Sequence, residues 1–354
     1  MKKTLFCFHV KTGNRGDDAI SYLLQRELTE NNNVPIAYFN IKYEGLSKER
    51  ILKQLNTDAS GLMIAGSGIY SPYNNEYGWL FKCAMEDIPL IEVPIFMVGL
   101  GMNGNLRGSF YKKEFPKETL ESIKILNNRA SFSSVRDANT YGFLQSLGIN
   151  KHVLNVDPAC FLKASKSIKK KKKVAIQLAQ HAPILGRFDC DYIGLLNKEY
   201  NIDSFQKISA ELIKQGYDVV FIAHDALERS IISELREKCP SLSYLDTDNI
   251  QDMIDMYASC EFSIGIKMHS NILSFAAGTP FISLYYDTKH IEFLKMVGME
   301  KQGVNLFQNY LQELFLLIEK TQGNIEILSS VIRRMKDKYF PIWQDNIHDI
   351  LSSL

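Results

Sequence analysis

Late in the chain stand a lysine, a histidine and a serine-led turn, in Ser263-Ile264-Gly265-Ile266-Lys267-Met268-His269-Ser270-Asn271. An apolar strand is expected to deliver Lys267 and His269 to one side of an extended segment, because alternate residues share a face. Ser270 then opens a helix that stops at Gly278-Thr279-Pro280. Helix N-termini attract anions through unpaired N–H groups and a partial positive charge. A cation, a titratable imidazole and a helix N-terminus so close together suit phosphate binding combined with proton transfer. The plainer reading makes His269 a buried structural residue.

Five other segments could join it. Gly13-Asn14-Arg15-Gly16-Asp17-Asp18-Ala19 lies between an early apolar run and a helix-like stretch. It lacks the Lys-Ser/Thr of a phosphate loop and the spacing of a dinucleotide fingerprint. Asp17 reads either as a helix N-cap or as a base that takes a proton from a substrate hydroxyl. Asn14, Arg15 and Gly16 complete that anion-facing turn. Ala65-Gly66-Ser67-Gly68-Ile69 is a second turn, in which glycines let a ligand or a second backbone approach. In Ser134-Val135-Arg136-Asp137, Arg136 is either the partner of Asp137 or a clamp for a carboxylate or oxyanion. Asp287 and Lys289 close a later strand, where Lys289 either pairs with Asp287 or meets an anionic substrate. Gln177 and His181 follow the first strand of the second half and are further candidates to face the same cleft.

Positioning these residues requires many short strands. Apolar runs over 5–10, 59–65, 95–100 and 130–135 each close on a polar or glycine-rich turn. A second series follows over 174–179, 218–223, 262–266 and 281–286, alternating with helical stretches. That pattern predicts parallel sheets covered on both faces, with ligands bound at the C-terminal ends of the strands. The expected fold is α/β: two doubly wound, Rossmann-like domains facing a cleft. We place them at residues 1–165 on the acceptor side and 174–305 on the donor side, with helices over 306–354 that return toward the first domain. Between them runs Lys163-Ala164-Ser165-Lys166-Ser167-Ile168 and five consecutive lysines, Lys169 to Lys173. Such a block is read as a solvated linker or as a weak attraction for anionic lipid or substrate.

Composition narrows the function. The 354 residues are 45% hydrophobic and 23% charged, which fits globular domains rather than disorder. Lys and Arg number 41 against 40 Asp and Glu, so no global basic excess marks a nucleic-acid binder. Six cysteines show no C-x-x-C and no zinc spacing, so no metal and no cofactor are expected. Cys7, Cys160 and Cys260 read as small buried hydrophobes in a reduced, cytoplasmic protein. The N-terminal apolar stretch is too short for a secretion signal and reads as a strand, and no 18-residue apolar run spans a membrane. At most, peripheral association with the inner face of a membrane is expected.

As an ordered set, several motifs resemble the polysaccharide pyruvyl transferase family. They are Asn14-x-Gly16-Asp17-x-Ala19, Val135-Arg136-Asp137, Val156-Asp157-Pro158-Ala159, the His269 block, Ala277-Gly278-Thr279-Pro280 and Tyr286-Asp287-x-Lys289. Where the family usually has Arg-x-His, this chain has Lys267-Met268-His269. The resemblance implies a glycosyltransferase-B-like fold and transfer of the pyruvyl group of phosphoenolpyruvate onto two hydroxyls of a sugar, free or lipid-linked. It implies His269 as an imidazolium general acid, Asp17 as base, and donor binding by Lys267, Arg136 and the helix opening at Ser270 and Asn271. Glycosyl transfer from a nucleotide sugar, or a non-catalytic binding module, are the alternatives on the same cleft.

Overall fold

The computed structural model describes residues 4–9, 15–40, 45–46, 49–72, 75–103, 114–179, 201–226, 228–240 and 242–354. Asn14, His181 and Cys190 lie outside them. The first half forms a six-stranded parallel sheet from β1 (Thr4–His9), β2 (Ile36–Asn40), β3 (Ala59–Ala65), β4 (Ile95–Leu100), β5 (Phe132–Val135) and β6 (Val153–Leu154). Their order is β2-β1-β3-β4-β5-β6. The second sheet holds β7 (Lys173–Gln177), β8 (Asp218–Ile222), β9 (Ser243–Leu245), β10 (Phe262–Gly265), β11 (Phe281–Tyr285) and β12 (Gly303–Asn305), in the order β12-β11-β10-β7-β8-β9. The α/β expectation therefore holds, with two parallel sheets.

Strand order fixes where ligands can reach. Each sheet reverses its winding once, between β1 and β3 in the first and between β7 and β10 in the second. A crevice opens beyond the strand ends at such a reversal, because consecutive connections leave it on opposite faces. Gln177 at the end of β7, Gly66 just after β3, and Gly16 and His269 in the first turns of the helices after β1 and β10 stand at these ends. The apolar runs that the sequence shows are the inner strands, buried on both faces, as in Ile95–Leu100.

Three helices pack between the sheets. α1 (Arg15–Leu24) follows β1, and buries Ile20, Leu23 and Leu24. α2 (Glu49–Asp58), α3 (Lys117–Arg129) and α4 (Ala138–Ser146) serve the first sheet. In the second half, α5 (Ile202–Lys214) and α6 (Glu228–Lys238) precede α7 (Ile250–Ser259) and α8 (Met268–Ala277). Met268 through Ala276 are all buried in α8. Two of its polar side chains bond to the second sheet: Ser274 Oγ meets Ser263 Oγ at 2.7 Å, and Asn271 Nδ2 donates to Ser283 Oγ at 2.8 Å. α8 ends at Gly278, whose φ of 74° is the left-handed conformation that suits glycine at a helix stop. α1, α7 and α8 share one hydrophobic core that runs through both halves, including Ile20, Leu24, Tyr257, Ile272 and Phe275.

α9 (Thr288–Met296) and α10 (Tyr310–Gln322) stay with the second sheet, Tyr310 and Leu314 joining its outer core. The helices expected over 306–354 begin at Tyr310, and Gly323 and Asn324 separate α10 from α11 (Ile325–Ser352). α11 crosses both halves. Tyr339 donates its hydroxyl to Met296 O at 3.1 Å, and Trp343 stacks on Phe161 with ring centroids 5.5 Å apart. The lysine linker is also tied down, through Ser165 N and Oγ on the Asp255 carboxylate at 2.7 and 2.6 Å. Its lysines at 169–172 remain exposed.

Trp343→Ala is expected to cost about 3–5 kcal/mol, the usual loss for a large aromatic cut from a core. Urea unfolding followed by circular dichroism measures it. A change within about 0.5 kcal/mol, typical of surface positions, would show that α11 adds nothing to the first half.

Candidate active site

At Gly16 the first turn of α1 packs directly against the His269 side chain of α8. A Cβ on Gly16 would overlap the imidazole of His269, so glycine alone permits this approach. His9, at the end of β1, fixes the turn from below, with Nε2 2.7 Å from Asp17 O and Nδ1 3.0 Å from Ala65 O. Asp17 is buried in this turn. It lies inside α1 and is not its cap, because Arg15 and Gly16 before it are already helical. Arg15 reaches across to the second half. Its N–H donates to His224 O at 2.8 Å and its Nε to Thr247 O at 3.1 Å, while its guanidinium also pairs with Asp18 and Asp248. Arg15 is a strut between the halves, and its guanidinium is committed to protein partners.

Gly66 and Ser67 take consecutive left-handed conformations, φ 64° and 70°, which is unusual for serine. A side chain at Gly66 would collide with Ile20 and one at Gly68 with Asn103. The glycines therefore let the turn pack against the protein itself. Ser67 O accepts from Gly101 N at 3.0 Å, which joins the β3 and β4 turns.

The centre of the site is a buried trio. Arg136 Nη1 donates to Asp157 Oδ2 at 3.0 Å, and His269 Nε2 lies 4.0 Å from the same oxygen. Arg136 thus pairs with Asp157 and not with Asp137, which caps α4 by accepting from Thr140 N at 2.7 Å. Asp157 Oδ1 accepts from Ala159 N at 3.0 Å, so its carboxylate is held from both sides. Buried and without a hydrogen-bond partner among the described residues are Arg136 Nε and His269 Nε2. Burial, and then the charges of Arg136 and Lys289, hold the His269 imidazole well below its ordinary pKa. These groups by themselves favour the neutral ring. Lys289 sits near Asp287, 3.7 Å away, and Asp287 caps α9 by accepting from Lys289 N at 3.2 Å.

Lys267 departs from the expectation of a free phosphate clamp. Its ammonium is paired with Asp225 and, at 2.5 Å, with Glu228. Burial works against its charge, but the two carboxylates outweigh it and its pKa is raised. Gln177 is likewise committed. Its Oε1 accepts from Ile266 N at 3.1 Å and Lys267 N at 2.8 Å, and its Nε2 donates to Glu228 at 2.9 Å. Helix α8 begins at Met268, two residues before the expected start. That rotation separates Lys267 from His269, one facing Glu228 and the other Gly16. Ser270 Oγ folds back onto Lys267 O at 2.6 Å, and Asn271 joins α8 to β11.

Sequence reasoning gave no role to Asp157, Asp225 or Glu228. Asp157 had a signal, since an Asp before Pro158 at the head of a turn is a cap. Glu228 had none, being one acid among several on an amphipathic helix. Among the described residues no group of three or more His, Cys, Asp or Glu could hold a metal, and no helix is long and apolar enough to cross a membrane.

Two parallel sheets with a cleft at their winding reversals define a glycosyltransferase-B-like protein. Solved chains share this fold: S. aureus MnaA with UDP, at TM-score 0.53 and 11% identity, covering 94% of this chain and 91% of that one. UDP-GlcNAc 2-epimerase from Methanocaldococcus jannaschii follows, at 0.52 and 12%, covering 90% and 92%. Residues 14–288 match the polysaccharide pyruvyl transferase family, and the chain belongs to it. The amylovoran biosynthesis protein AmsJ of Erwinia amylovora is 20% identical over 312 residues, 81% of this chain and 70% of the relative. Family and relative support a general role in pyruvyl transfer for polysaccharide biosynthesis.

His290 provides a test of the site's buried histidines. Its Nε2 lies 2.9 Å from Ile266 O, and burial followed by the Lys289 charge pushes its pKa down to about 4. An unfolded histidine titrates near 6.5. Between those values the unfolded chain binds the extra proton, so the stabilisation is full above about pH 6.5 and is lost as pH falls toward 4, up to about 3 kcal/mol. Urea unfolding of wild type and His290→Gln across that range should show a pH slope shallower by one proton in the variant. Equal slopes would remove His290 from the acid sensitivity.

Proposed function

We propose that this cleft transfers the pyruvyl group of phosphoenolpyruvate to two hydroxyls of one sugar in a polysaccharide or its lipid-linked precursor, as a ketal with release of phosphate. The observation that carries the reading is the buried His269 Nε2, without a hydrogen-bond partner among the described residues, held 4.0 Å from Asp157 and within the field of Arg136 and Lys289. Such a field suits a ligand with both a carboxylate and a phosphate. Arg136 and Lys289 are the donor's cations in this scheme. Their effect on His269 also supplies a trigger. An anionic donor among them offsets the charges that suppress the imidazolium, so the ring gains its proton when the donor binds.

The reaction then balances in two additions. Imidazolium His269 gives a proton to the methylene carbon of the donor, which becomes the methyl group, and the neighbouring carbon becomes electrophilic. The first sugar hydroxyl adds there and its proton passes to Asp17. The carbon–oxygen bond to phosphate breaks, and the second hydroxyl closes the ketal as its proton leaves with phosphate. The Asp157 carboxylate, 4.0 Å from the ring, favours its charged form once the proton arrives. The Gly66-Ser67-Gly68 turn belongs to the acceptor side of this scheme. Consumption of a central metabolite places the reaction in the cytoplasm.

His269→Ala should lower kcat by about 10²–10⁴-fold while the donor still raises the melting temperature, because general acid catalysis acts in the transition state. Lys289→Ala should instead raise KM for the donor by about tenfold or more, as loss of a charged hydrogen bond does. Phosphate release and the mass gain of a sugar acceptor read both. Stabilisation by a nucleotide sugar but not by phosphoenolpyruvate would replace this reading with glycosyl transfer.

A further inference from the structure

Away from the cleft, at the opposite end of α8 from His269, two hollows of about 400 and 260 Å³ adjoin through Lys336 and Asp337. The larger is lined by Lys170, Arg333 and Lys336, with Glu326 and Asp337 opposing them. The smaller has an apolar floor of Phe161, Phe340 and Pro341, and Lys163 Nζ stands 5.3 Å from the Phe340 ring. Lys170 donates to Gly278 O at 3.2 Å and Lys336 to Ala276 O at 2.6 Å, which caps the end of α8. An ammonium has three donors, so each keeps hydrogens for a further acceptor. Arg333 is exposed and has no ion pair among the described residues. Four cations thus face two carboxylates, in a chain whose formal net charge is only +1. The exposed lysines of the linker lie beside them in sequence and add to the excess. Burial lowers the pKa of both Lys170 and Lys336, and the charge of Lys163 acts on Lys336 in the same direction.

We propose that these hollows take an anionic phospholipid of a bilayer surface, with its phosphate among Lys170, Arg333 and Lys336 and the start of its acyl chain over Phe161, Phe340 and Pro341. A cationic hollow alone would fit any small anion. The aromatic floor beside it, under a lysine, matches an amphiphile whose charge and hydrocarbon are adjacent. The site is separate from the donor's, because the ten residues of α8 set it about 15 Å from His269.

Full-length protein sedimented with vesicles tests this without using pyruvyl transfer, so its outcome is independent of the activity. Phosphatidylcholine vesicles containing phosphatidylglycerol should carry the protein down at low salt, and pure phosphatidylcholine should not. The double variant Lys163→Glu, Arg333→Glu, both exposed positions, should bind the anionic vesicles at least about 30-fold more weakly, with its circular dichroism unchanged. Short-chain phosphatidylglycerol in solution should raise the melting temperature where inorganic phosphate does not, and Phe340→Ser should abolish that rise. Equal binding to neutral vesicles, undiminished binding by the charge-reversed protein, or an equal shift with inorganic phosphate would each overturn the proposal.

Discussion

The backbone of Gly16 rests against the His269 side chain, and any side chain there would occupy the ring's own space. Through that contact the first helix of one half and the buried helix of the other pack as neighbours. It lets α1, α7 and α8 share a core that belongs to neither half alone. The same contact buries His269, which is what makes its titration so sensitive to nearby charge. His9 and Arg15 reinforce it from either side, one by hydrogen bonds to the β3 end and the α1 turn, the other by bridging to the second half. Position, burial and protonation of the imidazole therefore share a single steric origin.

Charge is handled in two ways in the cleft. Around Lys267 it is settled within the protein: two carboxylates meet the ammonium, and burial pushes the Glu228 carboxyl up to about 7. That cluster holds the β10 turn in shape through Gln177. Around His269, Arg136 meets Asp157 at 3.0 Å and Lys289 meets Asp287 at the longer 3.7 Å, and both cationic charges also act on the ring. The contrast distinguishes a cation that builds the turn from cations suited to a donor, although the sequence presents Lys267 and Lys289 alike.

The inner strands were legible because strands buried on both faces leave continuous apolar runs, as Ala59–Ala65 and Ile95–Leu100 do with unchanged limits. The edge strands β2, β6, β9 and β12 escaped. β6 has only two residues, and β9 is mostly exposed, so neither carries a period to detect. His269 and Arg136 were legible as residues at strand ends. The partners that set their chemistry were not. Asp157 lies 21 residues from Arg136, and Glu228 lies 39 residues before Lys267, separations that only the sheet order resolves. The start of α8 was misplaced for a local reason, since Ser270 resembles a cap but bonds back to Lys267 O from inside the first turn.

The return of α11 has a bearing on how the chain is made. Phe161 belongs to the first half and leaves the ribosome well before Trp343, which covers it. Ile347 and Ile350 complete the same shared core. Domains that emerge first commonly fold first, but here the first sheet must wait with an apolar face open until the second half has been synthesised. The nascent first half is thus a client for chaperones, and severing the chain at the lysine linker would yield a sheet without its cover rather than a free-standing domain.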